Sequence, residues 1–185
     1  MISVYGDLKG ENYKTFVSFA MEHSDAIMLI YCGYGYPLKR RIRDIRRMLR
    51  PFRVASRDNS KSLKKGKPEF KWPSTISWTK ALICAETYRV SPEVKEIVLS
   101  VDDIFAWNYP QRPEDISFFY QGECWIATTA HEKLFFIYDH EREVALMLTE
   151  MGIEYKRYPG ECTRFKEKYT IKKKADDAEG AAEEK

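Results

Sequence analysis

The stretch from Asp115 to Asp139 constrains this chain more than any other. It reads Asp-Ile-Ser-Phe-Phe-Tyr-Gln-Gly-Glu-Cys-Trp-Ile-Ala-Thr-Thr-Ala-His-Glu-Lys-Leu-Phe-Phe-Ile-Tyr-Asp. Three apolar runs rich in aromatic and β-branched residues are parted by two short polar breaks, Gln121-Gly122 and Ala130-His131-Glu132. That pattern predicts a three-stranded antiparallel meander. It is the densest block of core-forming side chains in the protein, and the remaining elements are expected to be organised around it.

Ile2–Tyr5 is a short first strand closed by Gly6-Asp7. Tyr13, Phe16, Val17 and Ala20 recur at helical spacing and predict an amphipathic helix over residues 11–23. Ala26–Cys32 is apolar throughout, the signature of a strand covered on both faces and therefore central in a sheet. A loop with two glycines, Gly33-Tyr34-Gly35-Tyr36-Pro37, leads into a second helix. Its stripe is Leu38, Ile42, Ile45, Leu49 and Phe52, and Pro51 ends it. Residues 53–71 are polar and Lys-rich with little periodicity, which predicts a mobile loop. Residues 79–90 predict a strand. Ser91-Pro92-Glu93 opens a helix running to about Trp107, with Ser as N-cap and Pro at the first position. After the meander, Val144, Met147, Leu148 and Met151 predict a helix with Gly152 as its left-handed C-cap, followed by a strand over Ile153–Tyr158. Helices between buried strands favour parallel crossovers, whereas the meander is antiparallel. The expected class is α+β: a mixed sheet with an antiparallel meander in the C-terminal half and helices packed on it. Residues 1–160 form one domain with the basic loop 53–71 within it, and residues 161–185 form a charged, disordered tail.

With 185 residues and a 44% hydrophobic fraction, the chain can bury a core without a metal or disulfide staple. No apolar run approaches the ~20 residues of a spanning helix. The first residues lack a basic segment followed by an apolar one, and the four cysteines are scattered without a Cys-x-x-Cys pair; both point to a reducing, cytoplasmic setting. Charge is the second strong feature. Between Lys39 and Lys71 stand 14 Lys or Arg against three acids, a net of +11, while the remainder carries 17 bases and 25 acids. A basic segment on an acidic body suggests an anionic partner.

Trp72-Pro73-Ser74-Thr75, Pro113-Glu114-Asp115 followed by Phe118-Phe119, Cys124-Trp125 and His131-Glu132-Lys133 occur in this order. They resemble a family of small bacterial proteins labelled stage III sporulation protein AH, whose members carry Trp-Pro-Gly-Thr, Pro-(Glu/Gln)-Asp-Leu-x-Phe-Phe and Cys-Trp-x(5)-His-Glu-Lys. The resemblance extends from the first helix to about residue 150. It implies a part in a larger bacterial assembly and carries over no catalytic residue. The sequence departs from the pattern with Ser74 in place of Gly, and its basic stretch before Trp72 is longer.

Two sets of residues are candidates for function. A general base or metal-assisted hydrolase would use His131 with Glu132, drawing on Glu114 or Asp115 from the start of the first meander strand. Adjacent strand residues point to opposite faces, which separates His131 from Glu132 unless the turn bends them together. Cys124 and His131, seven apart, also fall on opposite faces, so Cys124 reads as a buried thiol. The second set is basic: Lys39, Arg40, Arg43, Arg46, Arg47 and Arg50 on the second helix, then Lys64 and Lys65, with Trp72 as an aromatic platform. Such groups neutralise phosphates while aromatic faces stack on bases. The preferred reading is a non-enzymatic protein that binds an anionic partner, nucleic acid before all, through residues 39–71. No cofactor and no metal-ligand set is implied.

Overall fold

The computed structural model describes residues 1–33, 38–160 and 163–171. Eight strands form one sheet in the order β10-β1-β9-β8-β7-β2-β6-β3. These are β1 (Ile2–Val4), β2 (Ala26–Gly33), β3 (Arg53–Asp58), β6 (Leu82–Arg89), β7 (Glu114–Tyr120), β8 (Glu123–Thr129), β9 (Leu134–Ile137) and β10 (Tyr155–Arg157). A separate hairpin joins β4 (Phe70–Trp72) to β5 (Thr75–Ser77). The helices are α1 (Gly10–Glu22), α2 (Arg40–Leu49), α3 (Ser60–Lys64), α4 (Pro92–Val98) and α5 (Glu141–Glu150).

The class is α+β, and β7-β8-β9 is the expected meander. Gln121 and Gly122 turn β7 into β8 with φ of 50° and 84°, the left-handed pair that a two-residue hairpin needs. Gly122 is needed a second time, because a Cβ there would sit 2.8 Å from the Glu167 carbonyl oxygen. β2 lies between β7 and β6, buried on both faces as its unbroken apolar run predicts. The parallel crossovers expected alongside the meander are absent among the described residues: every pairing is antiparallel. The chain between β2 and β6 returns through α2, β3 and the small hairpin, so β6 comes back against β2 in the opposite direction.

The two faces of the sheet are covered differently. On one, Tyr13, Phe16 and Val17 of α1, Ile42, Ile45 and Leu49 of α2, Val94 and Val98 of α4, and Val144 and Leu148 of α5 pack on Ile27, Leu29, Tyr88 and Phe118. The other buries Met28, Ile30, Ile83, Phe119 and Cys124 beneath Phe70 and Trp72 of the hairpin, with Phe165 and Tyr169 packed alongside. Burying Phe70 and Trp72 stabilises by about 2–3 kcal/mol each.

Three expectations change here. Residues 53–71 are not a loop but β3, α3 and β4. β3 is an edge strand, and an edge protected by charge shows no apolar alternation to betray it. Residues 163–171 are not a free tail. Cys124 N–H donates to the Phe165 carbonyl at 2.9 Å and Glu167 N–H to Gly122 at 2.8 Å, so this segment continues along β8 where β9 ends. Tyr169 donates its hydroxyl to Asp25, and Arg57 bonds Glu167 at 2.7 Å. The helix opened by Ser91 ends at Val98 rather than near Trp107. Asp103 caps a separate turn by accepting from Phe105 N–H at 2.8 Å, a local bond that competes with helix continuation. The glycine loop at residues 34–37, Cys162 and residues 172–185 lie outside the described residues.

Candidate functional site: an arginine groove

α2 carries its apolar stripe inward, which leaves Arg43, Arg46, Arg47 and Arg50 on an adjoining face at three- and four-residue spacing. Arg53 faces them from the start of β3. A bulge between Arg53 and Ala55 sets that orientation: it places Arg53 opposite Tyr88, on the helical face, while Arg57 pairs with Ala85 and faces the hairpin side. With Leu38, these five arginines line an open groove of about 490 Å³.

One carboxylate anchors the groove. Glu86 of β6 is wholly buried. Its Oε1 accepts from Arg46 at 2.6 Å and from Arg53 at 2.7 Å, and its Oε2 accepts from the Tyr88 hydroxyl at 2.5 Å. Tyr88 shares a further hydrogen bond of 2.7 Å with Tyr31, whose ring lies beneath the Arg46 guanidinium at 4.9 Å. Burial alone would raise the Glu86 pKa. The bonds from Arg46, Tyr88 and Arg53 overcome it and leave the carboxyl below its ordinary 4.5. The hydrogen bond to Glu86 in turn raises Arg46. Burial and the negative neighbours push Tyr88 upward, so Glu86 stays charged and Tyr88 stays a donor.

On the rim, Arg47 pairs with Asp44 at 3.2 Å while remaining 79% exposed, and Arg40 reaches the same carboxylate at 4.0 Å while 91% exposed. Arg43 and Arg50 have no ion-pair partner among the described residues. The groove therefore holds more cations than carboxylates, and two of its arginines are fixed by hydrogen bonds before any ligand arrives.

The expected basic set does not gather in one place. Arg43, Arg46, Arg47 and Arg50 line the groove, while Lys39 and Arg40 stand exposed at the start of α2. Lys64 and Lys65 end α3, at the far end of β3. Trp72 is no platform: it is 5% exposed, and its indole N–H donates to Asp115 at 2.8 Å. Arg53, absent from the expected set, belongs to the site. Its sequence signal was invisible because only the bulge turns it towards α2.

Of the residues proposed for hydrolysis only His131 and Glu132 meet, because residues 130–132 form a tight helical turn rather than the extended strand that would part them; Glu114 and Asp115 are engaged elsewhere. His131 is exposed at the β8–β9 turn with its Nε2 3.6 Å from Glu132. Asp115 is buried, and its two oxygens accept from Trp72 and from Ala130 N–H at 2.8 Å each. A bulge in β7 next to left-handed Asp115 (φ 54°) sets Glu114 opposite Ile30, where the Cys32 thiol donates to it at 3.6 Å. Cys124 is buried, its thiol pushed up by burial and donating to the Ile126 carbonyl. Among the described residues no group of three His, Cys, Asp or Glu side chains could hold a metal ion, and no helix is long and apolar enough to cross a membrane. Comparison with known protein families, with curated proteins and with solved structures finds no match.

Proposed function

We propose that this protein is a binding protein for a polyanion, nucleic acid before others, and that the arginine groove between α2 and β3 takes the phosphates. The observation that carries this reading is the groove's composition: five arginines converge on one open surface, and its central carboxylate is buried beneath them. Guanidinium forks suit phosphate oxygens better than lysine point charges do, and arginines already held by a buried acceptor lose less freedom on binding. Among the described residues the groove is lined by arginines and Leu38, and the neighbouring Cys84 thiol, 3.6 Å from Arg46, has its pKa raised by burial, which favours binding over catalysis. Sequence reading by hydrogen bonds to base edges is not part of this proposal; the attraction is electrostatic.

The test is binding of a mixed-sequence oligonucleotide across a salt series. Replacing Arg43, Arg47 and Arg50 together by Ala should weaken binding about 100-fold, from ~1 kcal/mol for each exposed phosphate contact. The slope of log K against log salt should fall by about three. A charge-matched control replaces Arg142, Lys156 and Arg157, at the opposite edge of the sheet, and should bind as the parent does. Salt-insensitive binding, or equal loss in the control, overturns the reading.

A further inference from the structure

The protein has four tryptophans, and three are buried: Trp72 in the hairpin, Trp107 and Trp125 in the main core. Trp78, one residue beyond β5, is 65% exposed. Phe70 pairs with Ser77 and Trp72 with Thr75, and these inward positions carry the buried rings. Lys71 and Ile76 pair on the outward side; Trp78 stands just past the strand end, where Thr79 N–H donates to the Ser77 hydroxyl at 3.3 Å. Ile76 is also exposed, so two large apolar side chains stand uncovered at the end of the hairpin.

Their surroundings are cationic. Lys61, Lys64, Lys65 and Lys67 lie in and after α3, all exposed and without an ion-pair partner among the described residues. Asn59 joins this segment to the chain beyond Trp78: its side chain donates to the Ala81 carbonyl and accepts from Ile83 N–H, both at 2.9 Å. Lys80 adds a further exposed cation between Trp78 and Ala81. Of the nearby acids, Glu69 is paired with Lys71 at 2.7 Å and Asp58 accepts from Ser60 N–H at 2.9 Å. The edge strand β3 leads from the arginine groove at Arg53 to this lysine cluster, a run of about 20 Å.

We infer that the anionic partner is single-stranded nucleic acid, tracking the β3 edge from the arginine groove to the hairpin, where Trp78 stacks on a base. The inference rests on the groove reading above and adds its substrate form. A linear polyanion can span the two cationic clusters at the ends of β3, although the strand between them has Arg57 paired with Glu167 and the acid Asp58, and an exposed indole near the lysines supplies the sequence-tolerant stacking that such proteins use. A duplex keeps its bases inside and leaves Trp78 without a partner. A membrane surface would need a flat array of cations, whereas these follow an edge.

The experiment titrates the full chain with an oligothymidylate, a duplex of equal length, and anionic phospholipid vesicles, reading tryptophan emission and affinity. The oligothymidylate should quench emission and bind at least about tenfold tighter than duplex. Trp78→Ala should weaken single-strand binding by about 5- to 100-fold, the range for one stacked base, leave duplex binding unchanged, and abolish the quenching. Trp78→Phe should keep most of the affinity. Unchanged single-strand affinity in Trp78→Ala, with the Arg43, Arg47 and Arg50 triple variant still losing binding, overturns this inference and leaves the groove reading standing. Loss of neither would overturn both. Quenching by vesicles but not by oligothymidylate would assign the hairpin to a lipid surface and overturn the inference.

Discussion

Glu86 and Asp115 are both buried carboxylates on neighbouring parts of one sheet, yet they have opposite characters. Glu86 meets two guanidinium groups and a phenol, and its pKa is held below the ordinary value against the pull of burial. Asp115 meets only neutral donors, the Trp72 indole and the Ala130 amide. Burial dominates there and raises its pKa above the ordinary 3.8. Charge compensation thus separates a carboxylate that organises cations from one that ties chain segments together. The Asp115 region also holds three non-glycine residues in the left-handed region, Ser74, Asp115 and Lys133, while the groove holds none. Such strain persists where surrounding contacts fix it. Here it is matched by hydrogen bonds between the hairpin and the β8–β9 turn.

The largest effect should come from Glu86→Gln. It leaves Arg46 and Arg53 without their common acceptor charge and Tyr88 with a weaker partner, destabilising by about 3 kcal/mol. The figure sits at the low end for buried pairs because the two arginine side chains keep 36% and 37% of their surface open. The pH dependence gives a sharper signature. Glu86, with its folded pKa lowered, contributes stability that is full above 4.5 and is lost as pH falls through the folded value. Glu86→Gln should remove that acid loss. Urea unfolding from about pH 3 to about pH 7 measures it; an acid limb unchanged by the substitution would break the contrast.

Asp115 should behave with the other sign. Its raised folded pKa means that the charged form is disfavoured in the fold, so the penalty is full above the folded value and is relieved as pH falls towards 3.8. Asp115→Asn keeps a residue that tolerates the left-handed conformation but offers one acceptor oxygen to two donors. It should cost about 2 kcal/mol and steepen the loss of stability on acidification. If it proves neutral in unfolding experiments, Asp115 does not tie the hairpin to the turn.

How far the sequence shows all this differs between the two regions. The meander, the central β2, the α2 stripe, the Ser91 cap and the Gly152 terminus are local patterns, and each is found in place. β3 hid because an edge strand rich in charge mimics a loop. The packed segment 163–171 hid because Phe165 and Tyr169 are spaced too widely to show a period. At the site, the helical arginines were visible as a face, but Arg53 depends on a bulge and Glu86 on a pairing 40 residues from Arg46. Trp72 and Trp78 differ only in what lies opposite them: Trp72 finds its partner Asp115 across 43 residues, a distance no local pattern spans.

The smallest predicted effect isolates the strain. Ser74 has φ of 60°, and its hydroxyl bonds the Thr129 hydroxyl at 2.8 Å and the Thr128 carbonyl at 3.3 Å. Ser74→Ala and Ser74→Gly both remove those bonds, so the difference between them reports the backbone alone. Glycine adopts the left-handed region freely and alanine does not, although glycine gains more freedom in the unfolded chain. The strain outweighs that entropy at a fixed positive φ, so Ser74→Gly should be the more stable of the two by about 1 kcal/mol. Each should still fall below the parent, because the side-chain bonds are lost in both. Equal stability of Gly and Ala here would mean that the turn relaxes once the hydroxyl is gone. The left-handed residues around Asp115 would then follow from local side-chain bonding, and the contrast with Glu86 would rest on protonation alone.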